Sequence, residues 1–195
     1  MNASNSPAGE RLTPEVLAGQ AVYTRRLLRA YDLIVLGISN RFIWRCPTPR
    51  LLRHYNAHIT ANHLDVGVGT GWFLDRCRFP SPNPRIVLMD LNPNTLEFAA
   101  HRIARYRPEI CQRNVLEPIA CEGGRFDSLG INYLFHCLPG PITEKAVAID
   151  HLKPLMNPGA VVFGSTLLHG GVRRNLAARC LMRFYNEKGI FSNRA

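Results

Sequence analysis

The chain has 195 residues, 46% of them apolar and 19% charged, which is ordinary globular usage and enough length for one sizeable core with no second catalytic domain. Its net charge of +10 lies in the flanks: residues 1–61 hold eight Lys/Arg against three Asp/Glu, residues 62–167 ten against ten, and residues 168–195 six against one. The six cysteines form no CxxC pair and sit mostly in apolar segments, as reduced core cysteines do, which argues against a disulfide framework or a metal site and for a cytoplasmic protein.

Residues 1–12 are polar and predict a disordered tail rather than a signal peptide or membrane span. Thr13-Pro14 is a helix start, a capping hydroxyl followed by proline, and apolar residues then recur at helical steps to about Gly37. Thr48-Pro49 repeats the signal, with Leu51, Leu52, Tyr55 and Ile59 as an inner face. Residues 13–61 are therefore read as a helical cap, whose Arg-flanked apolar stripe serves a lid better than a membrane surface. Tyr31 and Trp44 bring aromatic bulk suited to an acceptor pocket.

From residue 62 to residue 195 short apolar segments alternate with helical ones. Strands are expected near 62–67, 84–90, 109–113, 126–132 and 159–165, and helices near 71–78, 94–106, 142–155 and 172–187. Such alternation gives an α/β fold, a doubly wound and mostly parallel sheet, with ligands at the carboxyl ends of the strands. Gly67, Asp90, Asn114 and Asn132 all fall at those ends.

The densest signal is residues 63–72, HLDVGVGTGW, a buried strand breaking into a glycine-rich turn. Glycines at 67, 69 and 71 permit a sharp turn and close approach of a ligand to the backbone. They do not match the GxGxxG of dinucleotide sites, and Trp72 and Phe73 stand where a pyrophosphate needs open backbone. The next strand, RIVLMD over 85–90, ends in an acid able to accept hydrogen bonds from ribose hydroxyls.

This spacing resembles the first motif of the class I S-adenosylmethionine (SAM) dependent methyltransferases of the small-molecule type, and the likeness runs from about residue 64 to 167. Segments 85–92, 113–117, 126–138 and 152–164 follow in the family's order. The resemblance implies a Rossmann-like core and SAM as cofactor. It places Asp65 at the cofactor's ammonium end, Gly67, Gly69 and Gly71 in the turn, Asp90 on the ribose and Leu91 against adenine. Asn114 and Val115 would meet the adenine edge, although Asn114 replaces a more usual Asp and could be a turn former. Asn132 would offer its carbonyl to the ammonium group. His136 resembles the first histidine of a VLHHL-like pattern, where it would take a proton or shape the acceptor site, with core packing as its alternative.

Neither a DPPY-like tetrapeptide nor a Pro-Cys nucleophile is present, which leaves a small-molecule acceptor as the leading class. The basic flanks keep an RNA acceptor as a rival, and Asn114 keeps a non-catalytic SAM-binding partner as another. The family's C-terminal β-hairpin is missing from the sequence pattern, so an open edge at the fifth strand and a homo-oligomer through it are expected.

Overall fold

Every strand expected after residue 61 forms. The computed structural model describes residues 32–119 and 124–193, with only the backbone at Leu33. The expected tail over 1–12, the helix start at Thr13 and the acceptor residue Tyr31 lie outside the described residues. The strands are β1 (Asn62–Val66), β2 (Arg85–Asp90), β3 (Glu109–Gln112), β4 (Phe126–Asn132) and β5 (Met156–Ser165). They form one parallel sheet in the order β3-β2-β1-β4-β5.

Register decides where the site falls. Val66 pairs with Met89 on one side and Ile131 on the other, so Gly67, Asp90 and Asn132 leave the sheet side by side. The order reverses between β1 and β4, which opens a crevice at that rim. Side chains alternate between two cores, as a sheet covered on both faces requires. Leu64, Val66, Met89, Leu129 and Ile131 share one with Leu152; Ile86, Leu88 and Phe163 share the other with Tyr55, Leu96 and Ile103.

Among the described residues six α-helices flank the sheet: α1 (Thr48–His58), α2 (Trp72–Arg76), α3 (Pro93–Arg102), α4 (Ile142–Lys145), α5 (Val147–Leu152) and α6 (Leu176–Glu187). α3 begins as its sequence suggests, with the Asn92 side chain accepting from the Asn94 N–H at 2.9 Å. α1 does not. The Thr48 hydroxyl donates to the Leu36 carbonyl and accepts from Asn40 Nδ2, joining α1 to the preceding segment and leaving its own helix without a side-chain cap. Pro49 removes one of the N–H groups that such a cap would serve.

That preceding segment differs from the expected α-helix ending near Gly37. It is a π-helix over Asp32–Ile43. In a helix closed by i→i+5 bonds, positions four apart stay close to one face. Asp32, Leu36 and Asn40 accordingly turn inward and make contacts, while Ile34, Ile38 and Phe42 remain exposed. β5 also starts three residues earlier than expected, because the ladder with β4 tolerates an irregularity between Met156 and Val161, opposite Phe126 and Ser128. Among the described residues no strand follows α6, and β5 has β4 as its one neighbour.

Candidate active site

The crevice at the reversal point is a cleft whose floor is the glycine turn. Gly67, Gly69 and Gly71 all have positive φ, at 73°, 52° and 68°. Gly71 is needed for space as well, since a Cβ there would come within 3.0 Å of Ala99 on α3. At Gly69 a Cβ would meet nothing within 4 Å, so the left-handed backbone is what selects glycine. Thr70, between them, donates to Asp32 Oδ1 at 2.6 Å and accepts from Arg102 Nη1 at 3.0 Å, while Arg102 Nη2 meets Asp32 Oδ2 at 2.6 Å. A closed polar triangle thus ties the glycine loop to the π-helix and α3, which no sequence spacing announced.

Asp65, Asp90, Leu91, Asn114, Val115 and Asn132 all line this cleft with the three glycines. Asp90 Oδ1 accepts from the Asn92 N–H at 2.9 Å. Burial pushes its carboxyl up to about 6, against hydrogen bonds from Asn92, Thr95, Gly69 and Leu91 that favour the charged form. Asn114 builds a turn: its Oδ1 accepts from the Leu116 N–H at 3.1 Å and its Nδ2 donates to Glu117 at 2.9 Å. An amide oxygen has two lone pairs, so the turn role leaves capacity for a ligand donor.

Asn132 is held from behind, with Ser165 Oγ donating to its Oδ1 at 2.9 Å. Its Nδ2 is buried without a partner among the described residues. A stranded donor on a cleft wall is costly unless a ligand accepts from it. Tyr133 follows with φ of 58°, a left-handed conformation rare for a bulky residue, and its hydroxyl donates to Asn40 Oδ1 at 2.9 Å. Strained backbone at a ligand rim was not readable from the sequence.

Two expected acceptor residues stand elsewhere. The cleft wall includes Tyr133, Leu134, Cys137 and Leu138 but not His136, which is 4% exposed. Its Nδ1 lies 3.2 Å from Thr166 Oγ1 and its ring meets Phe191 edge-on at 4.5 Å. Burial, and then Lys145 nearby, pull its pKa down to about 3, so it stays neutral. His136 therefore packs under the C-terminal segment instead of facing the cleft. Trp44, half-buried after the π-helix, is likewise absent from the wall, which takes Leu36 from the cap instead. Of the cap segment, the described residues Asp32, Leu36 and Asn40 reach the carboxyl ends of the strands.

Among the described residues no group of three His, Cys, Asp or Glu side chains is placed to hold a metal ion, and no helix is long and apolar enough to cross a membrane.

Residues 64–162, just over half of the chain, match the model of a methyltransferase domain family. The chain belongs to the class I SAM-dependent methyltransferases. Over 190 residues it is 40% identical to demethylluteothin O-methyltransferase of Streptomyces thioluteus, covering 97% of this chain and 83% of that protein. Over 185 residues it is 38% identical to a physcion biosynthesis cluster O-methyltransferase of Aspergillus chevalieri, covering 94% and 82%. The solved structure of DhpI with S-adenosylhomocysteine (SAH) shares the fold, with a TM-score of 0.61 over 80% of this chain and 72% of that one at 15% identity. SAM is the cofactor of the methyltransferase. Its cleft fits that group: an acceptor-only carboxylate at Asp90 suits ribose hydroxyls, and the unpartnered Asn132 Nδ2 suits an anionic or carbonyl oxygen.

Proposed function

We propose that the methyltransferase methylates a hydroxyl oxygen of a small, largely apolar acceptor, with a phenol or enol as the reacting group, in the cytoplasm. When bound, SAM supplies a methyl carbon already activated by a sulfonium. Asp90 holds the ribose, the 67–71 turn lies along the cofactor, Asn114 and Val115 meet the adenine edge, and Asp65 orients the ammonium end.

The observation that carries the reading is what the cleft lacks. Asp65, Asp90 and Arg113 are its only charged side chains among the described residues, and no His, Lys or Glu lines it. With both acids engaged on the cofactor, no His, Lys or carboxylate among the described lining residues is left as a general base for the acceptor. An acidic hydroxyl needs none, because it loses its proton to solvent before it is enclosed and then presents an oxygen lone pair in place. The protein then contributes proximity, orientation and exclusion of water, which account for much of such a barrier. Leu36, Tyr133, Leu134, Leu138 and Pro139 supply apolar wall for an acceptor of this kind. The names of the relatives, two of them O-methyltransferases, support oxygen as the methylated atom.

The test is a panel of phenols, aliphatic alcohols, amines and a structured RNA, each incubated with SAM and the methyltransferase. SAH release and product mass are read together. Mass gain on phenols with loss of the free hydroxyl is the expected result. Methylation of the amines or the RNA with the phenols untouched overturns the proposal.

A further inference from the structure

Below the glycine turn a chain of buried polar groups crosses the sheet face, and only the last of them, Asp65, carries a role at the cofactor site in the reading above. The Thr60 N–H donates to Ser128 Oγ at 3.0 Å, and Ser128 Oγ lies 2.8 Å from His63 Nδ1. His63 Nε2 lies 3.0 Å from the Tyr55 hydroxyl, which donates to Asp65 Oδ2 at 2.5 Å. His63 and Ser128 are fully buried and Tyr55 is 1% exposed. With a neutral imidazole, the donation of the Tyr55 hydroxyl to Asp65 makes Nε2 the ring's donor and Nδ1 its acceptor. Ser128 donates to Nδ1, His63 carries its proton on Nε2 and donates to the Tyr55 oxygen, and Tyr55 donates to the carboxylate. Each bond then polarises the next, and the series ends on a charge.

The packing holds this chain in place. Tyr55 comes from α1, outside the cofactor motifs, and its ring is stacked on Phe73 at 5.5 Å and met edge-on by Phe163 at 5.0 Å. Gly130 on β4 makes the room: a Cβ there would stand 3.1 Å from Asp65 Oδ2 and 3.1 Å from His63 Cε1. The contacts of Asp65 with Tyr55 and His63 both fall on Oδ2, while the residue also lines the cleft. Burial and the Asp65 carboxylate raise the Tyr55 phenol well above its usual value, so the phenol keeps its proton for donation.

We propose that Tyr55 is a positioning residue for the cofactor's amino-acid end, using its hydroxyl to occupy Asp65 Oδ2 and thereby aim Oδ1 at the ammonium group, with His63 and Ser128 fixing the direction of that bond. This rests on the reading that Asp65 serves the ammonium end. It adds a determinant from α1, and it explains a histidine, a serine and a glycine at sites where a parallel strand otherwise takes apolar residues.

The test compares two ligands by titration calorimetry on the full chain: SAH, and 5′-methylthioadenosine, which keeps the nucleoside and sulfur but lacks the amino-acid end. Tyr55→Phe keeps the ring and removes the hydroxyl. It is expected to weaken SAH by about fivefold or more while methylthioadenosine stays within about twofold. Ser128→Ala, one step further along and without change at Tyr55 or Asp65, is expected to weaken SAH selectively by about twofold or more, and it decides the matter if the Phe variant does not fold. Equal losses for both ligands, or unchanged SAH affinity, overturn the proposal by making the chain merely structural. Asp65→Asn separates the two levels. If it lowers the preference for SAH while Tyr55→Phe leaves that preference unchanged, the positioning role falls and the Asp65 reading stands. If it leaves the preference intact, the Asp65 reading falls and takes the proposal with it.

Discussion

The two halves of the cleft are built in different ways. On the side of β1 and β2, the ligand groups are placed by strand register and by backbone: Gly67, Asp90 and their neighbours emerge where Val66 pairs with Met89. On the cap side, placement depends on side chains reaching across long sequence separations. Asn40 meets Tyr133 and Thr48, Asp32 meets Thr70 and Arg102, and Asn175 at the start of α6 donates to the Phe42 and Ile43 carbonyls. A ladder is rigid because its bonds are repeated and shared, whereas each cross-segment bond stands almost alone. Changes on the first side should therefore act on one ligand group, and changes on the second should act on closure.

The largest effect is expected on the backbone-placed side. Asp90→Ala removes the acceptor for two ribose hydroxyls, and SAH affinity should fall by about 1–3 kcal/mol, roughly fivefold to 150-fold, by calorimetry. An unchanged dissociation constant would take Asp90 out of the site.

A pH dependence follows from the same carboxyl. Its ordinary value of 3.8 is raised to about 6 by burial, so it is protonated in much of the free protein below pH 6. Ribose hydroxyls donate to the charged form. SAH affinity should rise about tenfold between pH 5 and pH 7 and level off above. Stability runs the other way. A raised acid pKa means that the folded state holds the proton more tightly, so this group's contribution is fully present below about pH 4 and is lost as pH rises through 6. Asp90→Asn should flatten the affinity profile; a slope that survives in that variant belongs to another group.

On the cap side, Asn40→Ala should act on closure. Asn40 is fully buried and bridges the Tyr133 hydroxyl and Thr48. Its loss leaves the Tyr133 phenol and the Thr48 hydroxyl short of partners, which should lower stability by about 1–3 kcal/mol in urea unfolding. SAH affinity should drop only about twofold to fivefold, because none of the cofactor's proposed partners is touched. A loss as large as that of Asp90→Ala would show that the cap side also holds the cofactor directly, and the contrast between the halves would disappear.

Legibility in the sequence follows the same division. Strands announce themselves by short apolar runs, a turn by glycines, and a strand-end ligand by an acid after apolar residues, so β1, β2, β4 and the rim positions Gly67, Asp90, Asn114 and Asn132 could be read from local pattern, whereas Asp65, Leu91 and Val115 came from the family resemblance. Bonds such as Tyr55 to Asp65 or Asp32 to Arg102 join residues that no periodicity relates. His136 shows the limit of resemblance: its neighbours Leu134 and Cys137 do line the cleft, yet the ring packs on Phe191, which only the path of the C-terminal segment decides. Asn114 was ambiguous because one amide can close a turn and still face a ligand.

The smallest effect in the folded chain is expected at the sheet's outer edge. β5 pairs with β4 on one side only among the described residues, and Val161 and Val162 are each 39% exposed, one on either face of the strand. An apolar strand with unpaired backbone groups is a template for a second strand, so we propose that two copies of the chain associate edge to edge there. Lysine at such an edge keeps strand geometry while its charge opposes another copy. Val162→Lys should change unfolding stability by only about 0.5 kcal/mol, as partly exposed sites do. It should nevertheless shift light scattering at high protein concentration toward the monomer, leaving SAH affinity unaltered because residue 162 lies three positions before the strand's carboxyl end at Ser165. A parent protein that is monomeric at all concentrations would show that this edge is covered, and that the cap side is not the only part of the molecule completed by long-range contacts.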